Sequence, residues 1–270
     1  MISAEHAITR TRRDLVLGTA VKWTLLSTAV LAVLLQPILG PGSNAATALL
    51  FVVGAVWIVL TYRSMRSSRL AADSSSLIAA GQFDAAEQQI AQGVRCFSIS
   101  RMVKLMNLHQ LAMLRHAQNR WEESAALCRA VLRQKAAEQS EMGRSSRLML
   151  AEALLELGDL HGTYQNLVKL YEQRLTLREA LNLLGVQLDY MARIGAWQAM
   201  LSGLPQRVEL AELLPTMQAA RAQALLALAA SRCGRCDWAR WLRRRVELLV
   251  DIQALCAQRP MLWELWRSDQ

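Results

Sequence analysis

The chain has 270 residues, with 31 Lys and Arg against 22 Asp and Glu, a formal net charge of +9. Hydrophobic residues make up 53% and the mean hydropathy is +0.16, both high for a soluble domain, while Gly, Pro and aromatics are few. That composition argues against β-rich and low-complexity architectures and for helices. The five scattered cysteines suggest no disulfide framework and point to a reducing compartment.

The apolar excess sits before residue 63. A first run covers Leu15 to Leu39 with Lys22 as its single charge, and a second, uncharged run covers Ala45 to Tyr62. Each is long enough for a helix to cross a hydrocarbon core of roughly 30 Å. Lys22 can snorkel from near the start of its run, and Trp23, Trp57 and Tyr62 stand at the same-side ends as an aromatic belt would. The connector, residues 36–44, holds two Pro and two Gly and no charge. Arg10, Arg12 and Arg13 precede the first run, and Arg63, Arg66 and Arg69 follow the second. The positive-inside rule then predicts a two-span hairpin with both ends in the cytoplasm and the short turn outside. The first 72 residues carry seven basic and two acidic side chains, +5 of the total +9. The basic bias therefore points to topology and lipid before it points to nucleic acid.

Residues 63–270 contain a recurring pattern. It reads Gly81-Gln82-Phe83-Asp84-Ala85-Ala86, then Asn119-Arg120-Trp121-Glu122-Glu123-Ser124, Gly158-Asp159-Leu160-His161-Gly162-Thr163 and Gly195-Ala196-Trp197-Gln198-Ala199-Met200. A fifth, weaker copy reads Cys236-Asp237-Trp238-Ala239-Arg240-Trp241. Each copy predicts a turn between antiparallel helices. Gly or Asn takes a left-handed conformation, the large third residue packs back, and the sixth residue lets the helices close. Stripes at helical spacing flank the turns: Leu105, Leu108, Leu111 and Ala112 before the second, and Leu167, Leu170 and Tyr171 after the third.

On these motifs the chain resembles the tetratricopeptide-repeat (TPR) family over roughly residues 67–250, with Leu111-Ala112 and Leu150-Ala151 at that family's small helix-contact position. The period is longer than the family's usual 34 residues, and the proline that ends most of its repeats is missing. Two spans followed by such repeats, together with Ile194-Gly195-Ala196-Trp197 and Leu204-Pro205, also resemble the HemY-like membrane-anchored proteins of bacteria. The apolar runs and the resemblance together predict an all-α fold: a cytoplasmic segment 1–14, a transmembrane hairpin 15–62 with spans at 15–39 and 45–62, and, as the resemblance implies, a cytoplasmic TPR-like solenoid of about five helical hairpins over 63–270. The resemblance implies a protein of the bacterial inner (plasma) membrane.

The motif search finds no catalytic site. There is no phosphate-binding glycine loop, no H-E-x-x-H and no serine nucleophile elbow. Cys233-Gly234-Arg235-Cys236 is a CxxC without a surrounding βαβ pattern, and a zinc site would need two more ligands; none lies near in sequence, although Cys256 could fold back. His109 and His116 stand seven apart, where i,i+4 is the better metal spacing. Glu152 and Asp189 read as lone carboxylates. Arg232, Arg235, Arg240, Arg243, Arg244 and Arg245 form the densest basic cluster, near Trp238, Trp241, Trp263 and Trp266. Trp238 and Trp241 fall at repeat-core positions, so the cluster reads as a solvated helix face over an aromatic core, with lipid or an acidic protein as alternative contact and no nucleic acid expected.

The expectation is a non-enzymatic scaffold with no cofactor and no metal. The repeat register assigns His109, Met113, His116, Glu152, Asn182 and Asp189 to a partner-binding groove. Arg63, Arg66, Arg69, Arg240, Arg243 and Arg244 are assigned to lipid or an acidic partner. The alternatives are an accessory subunit of a membrane complex, or a homo-oligomer, held through the hairpin, and a HemY-like accessory factor in haem or envelope biosynthesis.

Overall fold

The computed structural model describes residues 2–35 and 44–267, all helix and turn with no strand among them. Residues 36–43, which hold nearly all of the expected outer turn, lie outside the described residues. The chain divides into two compact units, residues 1–153 and 154–270.

Unit 1 is built on α1 (Ala4–Leu35), α2 (Asn44–Ala79), α3 (Phe83–Arg95), α4 (Arg101–Ala117), α5 (Trp121–Leu132), α6 (Lys135–Glu138) and most of α7 (Glu141–Glu156). Two helices are long and apolar enough to cross a membrane, over Ala4–Leu34 and Thr47–Ala79. Only 11% and 6% of their apolar windows are buried, so neither is a core helix.

Both helices are longer than their apolar runs. α1 begins at Ala4, so residues 4–14, expected as a separate segment, are the first part of the same helix. α2 continues past Tyr62 to Ala79, so no linker separates the second run from the first repeat. The reason is local: residues 63–79 contain no Gly or Pro. That stretch buries Ser64, Ser67 and Ser74, small side chains that bring α2 close to α3 and α4. The Ser67 hydroxyl donates to the Gly93 carbonyl (3.2 Å) and accepts from Asn107 Nδ2 (3.0 Å), while Ser64 accepts from Ser98 Oγ (2.8 Å). A Cβ at Gly93 would run into the Asn107 amide, so this seam needs glycine.

The start of α1 lies antiparallel along α4. Arg115 Nη2 donates to the Ile2 carbonyl (2.8 Å) at one end, and Lys104 Nζ meets Asp14 Oδ2 (2.5 Å) at the other. Glu87 accepts from both the Ile2 N–H (3.0 Å) and Arg115 Nη2 (3.0 Å). Arg115 and Lys104 are the largest fully buried side chains described, and each is paired with a carboxylate, Glu87 and Asp14 respectively.

Unit 2 holds α8 (Leu160–Tyr171), α9 (Leu177–Arg193), α10 (Trp197–Leu201), α11 (Leu204–Glu212), α12 (Thr216–Arg232), α13 (Cys236–Leu249), α14 (Ile252–Gln258), a 3-10 turn (Pro260–Trp263) and α15 (Glu264–Arg267). α12 is its centre. Residues 222–230 of this alanine- and leucine-rich helix are all buried, under α9, α10, α11, α13 and the C-terminal segment. Small side chains allow close approach on every side. Leu255, Cys256, Leu262 and Leu265 seal it from the C-terminal side. α10 and α11 are split where Ser202 is extended and Gly203 is left-handed (φ +64°). Thr176 and Glu179 form a reciprocal capping box at the start of α9.

Five turns share one backbone design. Gly81, Asn119, Gly158, Gly195 and Gly234 have positive φ, at intervals of 38, 39, 37 and 39 residues. At each, the next N–H reaches back five residues (Gln82 to Leu77, Arg120 to Arg115, Asp159 to Leu154, Ala196 to Met191, Arg235 to Ala230), and the turn residue's own N–H reaches back three. That is the paired bond set of a Schellman cap. The following residue has φ near −85° in all five and opens the next helix. The residue five places after each turn residue is buried: Ala86, Ser124, Thr163, Met200 and Ala239.

The fifth unit starts two residues earlier than its tryptophan suggested. Its left-handed residue is Gly234, so Cys236 takes the place held by Phe83 and Trp121, and Trp238 follows it. Trp241, expected in the core, is 43% exposed, and so is Tyr171 at 53%.

Candidate functional site

The groove residues assigned from the register separate into three kinds. His109 is buried, with Nδ1 2.8 Å from Ser146 Oγ, and burial pushes its pKa down to about 4. It is a neutral structural histidine and offers no surface to a partner. Met113, His116 and Glu152 are half-buried and together. His116 Nε2 is 3.2 Å from Glu152 Oε2, and its ring meets Trp121 edge-on at 5.0 Å. α4 supplies Met113 and His116 one turn apart, α5 begins with Trp121, and α7 supplies Glu152. This leaves an accessible patch with a thioether, an imidazole and a carboxylate on unit 1.

Asn182 is half-buried on α9 of unit 2. Asp189 on the same helix is 1% exposed, closed by Arg221 and by Arg259, whose Nε lies 3.5 Å away. Arg259 also pairs with Glu156, which takes Arg193 at 3.0 Å. The C-terminal segment thus reaches back onto the acids of unit 2. Glu152 and Asp189 are therefore not the lone carboxylates the sequence suggested. Each has a partner on another helix, His116 of α4 for Glu152 and Arg221 of α12 for Asp189.

The basic sets differ from one another. Arg63, Arg66 and Arg69 are exposed along α2 just beyond its apolar run. In the C-terminal cluster, Arg240 pairs with Asp237 (2.8 Å), Arg243 with Glu247 (3.2 Å), Arg245 with Glu212 (2.6 Å) and Arg232 with Glu264 (2.7 Å). Arg245 also lies over Trp241 (4.7 Å), and Arg244 is exposed. Four of the six charges are thus offset within the fold, which weakens the cluster as an anion site.

All five cysteines are free thiols. Cys233 and Cys236 flank the Gly234 turn. Cys256 is buried in the core, and no group of three metal-ligating side chains occurs among the described residues. Burial pushes the Cys128 thiol up to about 12.

The sequence reading missed Asp14, Lys104, Glu87 and Arg115, which dock α1 on the repeats. A signal existed: Lys104 and Arg115 sit on the stripe of Leu105, Leu108 and Leu111, and a charge on an apolar stripe must be paired. No protein-family model matches this chain, and no curated protein or solved structure matches it either.

Proposed function

We propose that this protein is a membrane-anchored, TPR-like adaptor. Two spans hold it at the inner face of a bacterial plasma membrane with both ends in the cytoplasm, and the repeats present a surface to a protein partner. One observation carries the reading: five identical Schellman turns at 37–39-residue intervals, the first of them closing a helix continuous with an apolar span. A regular array of helical hairpins without catalytic chemistry is the architecture of a binding surface. An anchor without a linker fixes that surface close to the headgroups. The exposed arginines at 63, 66 and 69 support the inward orientation.

The partner face favoured is Met113, His116 and Glu152, the groove positions left accessible on unit 1. The test is affinity capture from detergent-solubilised membranes with Met113→Ala, His116→Ala and Glu152→Ala combined. A partner retained by the native chain and lost by the triple variant, at unchanged melting temperature, supports the adaptor. Equal capture by both removes this face from consideration.

A second reading, an accessory subunit held through its hairpin, is favoured by the exposed apolar residues Phe51, Trp57 and Ile58 on α2. In that case the same partner stays bound after the triple substitution and is lost when these three are replaced. The HemY-like resemblance adds haem or envelope biosynthesis as the setting, which porphyrin content in a deletion strain tests.

A further inference from the structure

A cavity of about 140 Å³ lies between α1, α4 and α5 of unit 1. Ile8, Leu15, Leu105 and Leu108 give it an apolar wall, and Arg12 and Arg133 stand in its lining, both exposed. Among the described residues no carboxylate pairs with either guanidinium. The acid nearest in sequence, Asp14, is taken by Lys104. The site thus combines two uncommitted cations with an apolar wall.

Its level in the fold narrows the ligand. Arg12 is one helical turn before Leu15, where the apolar run of α1 begins. The α1 face that lines the cavity, residues 8, 12 and 15, continues at helical spacing as Trp23, Leu26 and Val30, which are exposed. Lys22 lies on the same stripe, and helical side chains lean toward the N-terminus, so its stem leans back toward the cavity. Guanidinium forks match phosphate oxygens bidentately.

We propose that this cavity binds the phosphate headgroup of an anionic phospholipid, held by Arg12 and Arg133, with the acyl chains running along the Trp23, Leu26 and Val30 face of α1. The proposal rests on α1 crossing the membrane. Such a lipid fills the angle between the span and the repeats and ties the domain's attitude to lipid composition.

The test is native mass spectrometry of the full chain in neutral detergent, titrated with phosphatidylglycerol and, separately, phosphatidylcholine. The native chain is expected to bind phosphatidylglycerol about thirtyfold more tightly, by the worth of two basic side chains at an anionic headgroup. Arg12→Gln with Arg133→Gln is expected to abolish that preference, and Lys169→Gln with Arg178→Gln, exposed on unit 2, to keep it. A preference that survives the first pair, or falls equally with the second, overturns the site. Glycerol phosphate or inorganic phosphate at millimolar concentration is expected not to displace the lipid; displacement would show a soluble phosphate site and overturn the lipid assignment. Alkaline carbonate extraction separates the two claims. A protein that stays in the membrane but shows no preference overturns the site alone, whereas a protein released by carbonate overturns the membrane reading and the site with it.

Discussion

Asp14 and Lys104 stand ninety residues apart in the chain, and their charged atoms meet at 2.5 Å with the side chains 6% and 1% exposed. Lys104 Nζ also donates to the carbonyls of Cys96 (2.5 Å) and Val94 (3.3 Å). The ammonium is thus fully satisfied, which a buried charge requires. The pair sits where the apolar run of α1 begins, so the first candidate span is joined to the repeats by a charge lock.

Removing one partner leaves the other charge buried alone. Lys104→Met is expected to lower stability by about 3–5 kcal/mol. Lys104→Met combined with Asp14→Leu is expected to recover most of that loss. Thermal unfolding of the full chain in detergent measures both, and a double variant no better than the single one would contradict the lock.

Glu87 gives the other end of the α1 contact a pH dependence. Burial alone would raise its pKa, but the hydrogen bonds from Arg115 and the Ile2 N–H outweigh it and hold the carboxyl below its ordinary 4.5. A depressed folded pKa contributes stability above 4.5 that is lost as pH falls through the folded value. Amide protection near the N-terminus, measured against the intrinsic rate at each pH, is expected to fall below pH 4.5, and Glu87→Gln is expected to have lost it already at pH 7.

His109 contributes in a higher window. With its folded pKa near 4 and an ordinary value of 6.5, the folded state binds fewer protons than the unfolded chain between those values. Stability is therefore lost as pH falls below 6.5, by about 2 kcal/mol on reaching pH 5. His109→Gln is expected to remove that part of the fall. An identical slope in the variant would show that His109 is not buried in its neutral form.

The shared turn predicts a residue-specific cost. Nothing lies within 4 Å of a Cβ placed on Gly158, so Gly158→Ala is expected to cost about 1 kcal/mol for conformation alone. Asn119 already bears φ +58° without glycine. Asn119→Gly is expected to leave the melting temperature nearly unchanged, and Asn119→Ala to lower it.

The turns were legible because a Schellman cap is local: one residue tolerant of positive φ, at a regular interval, announces it. Where the place two after the turn residue held Cys236 and an aromatic, Trp238, stood two residues on, the register slipped. The apolar runs were legible for the same local reason, but their helices were not. The charges at Arg10, Arg12 and Arg13 mark topology in sequence and conceal that residues 4–14 dock on α4. Pairings such as Asp14 with Lys104, or Asp189 with Arg259, depend on the folded path of the chain and leave no local trace. A charge on an apolar stripe showed only that a partner was needed.

The central claim is a two-span anchor continuous with a cytoplasmic repeat domain. Cysteines placed singly at Arg12, Ser43 and Arg63, in a background free of the native cysteines, and reacted with a membrane-impermeant maleimide in intact cells, test it most directly. The account predicts labelling of Ser43→Cys in intact cells, and of Arg12→Cys and Arg63→Cys only after the membrane is opened. Labelling of Arg12→Cys or Arg63→Cys in intact cells, or of Ser43→Cys only after opening, would contradict it.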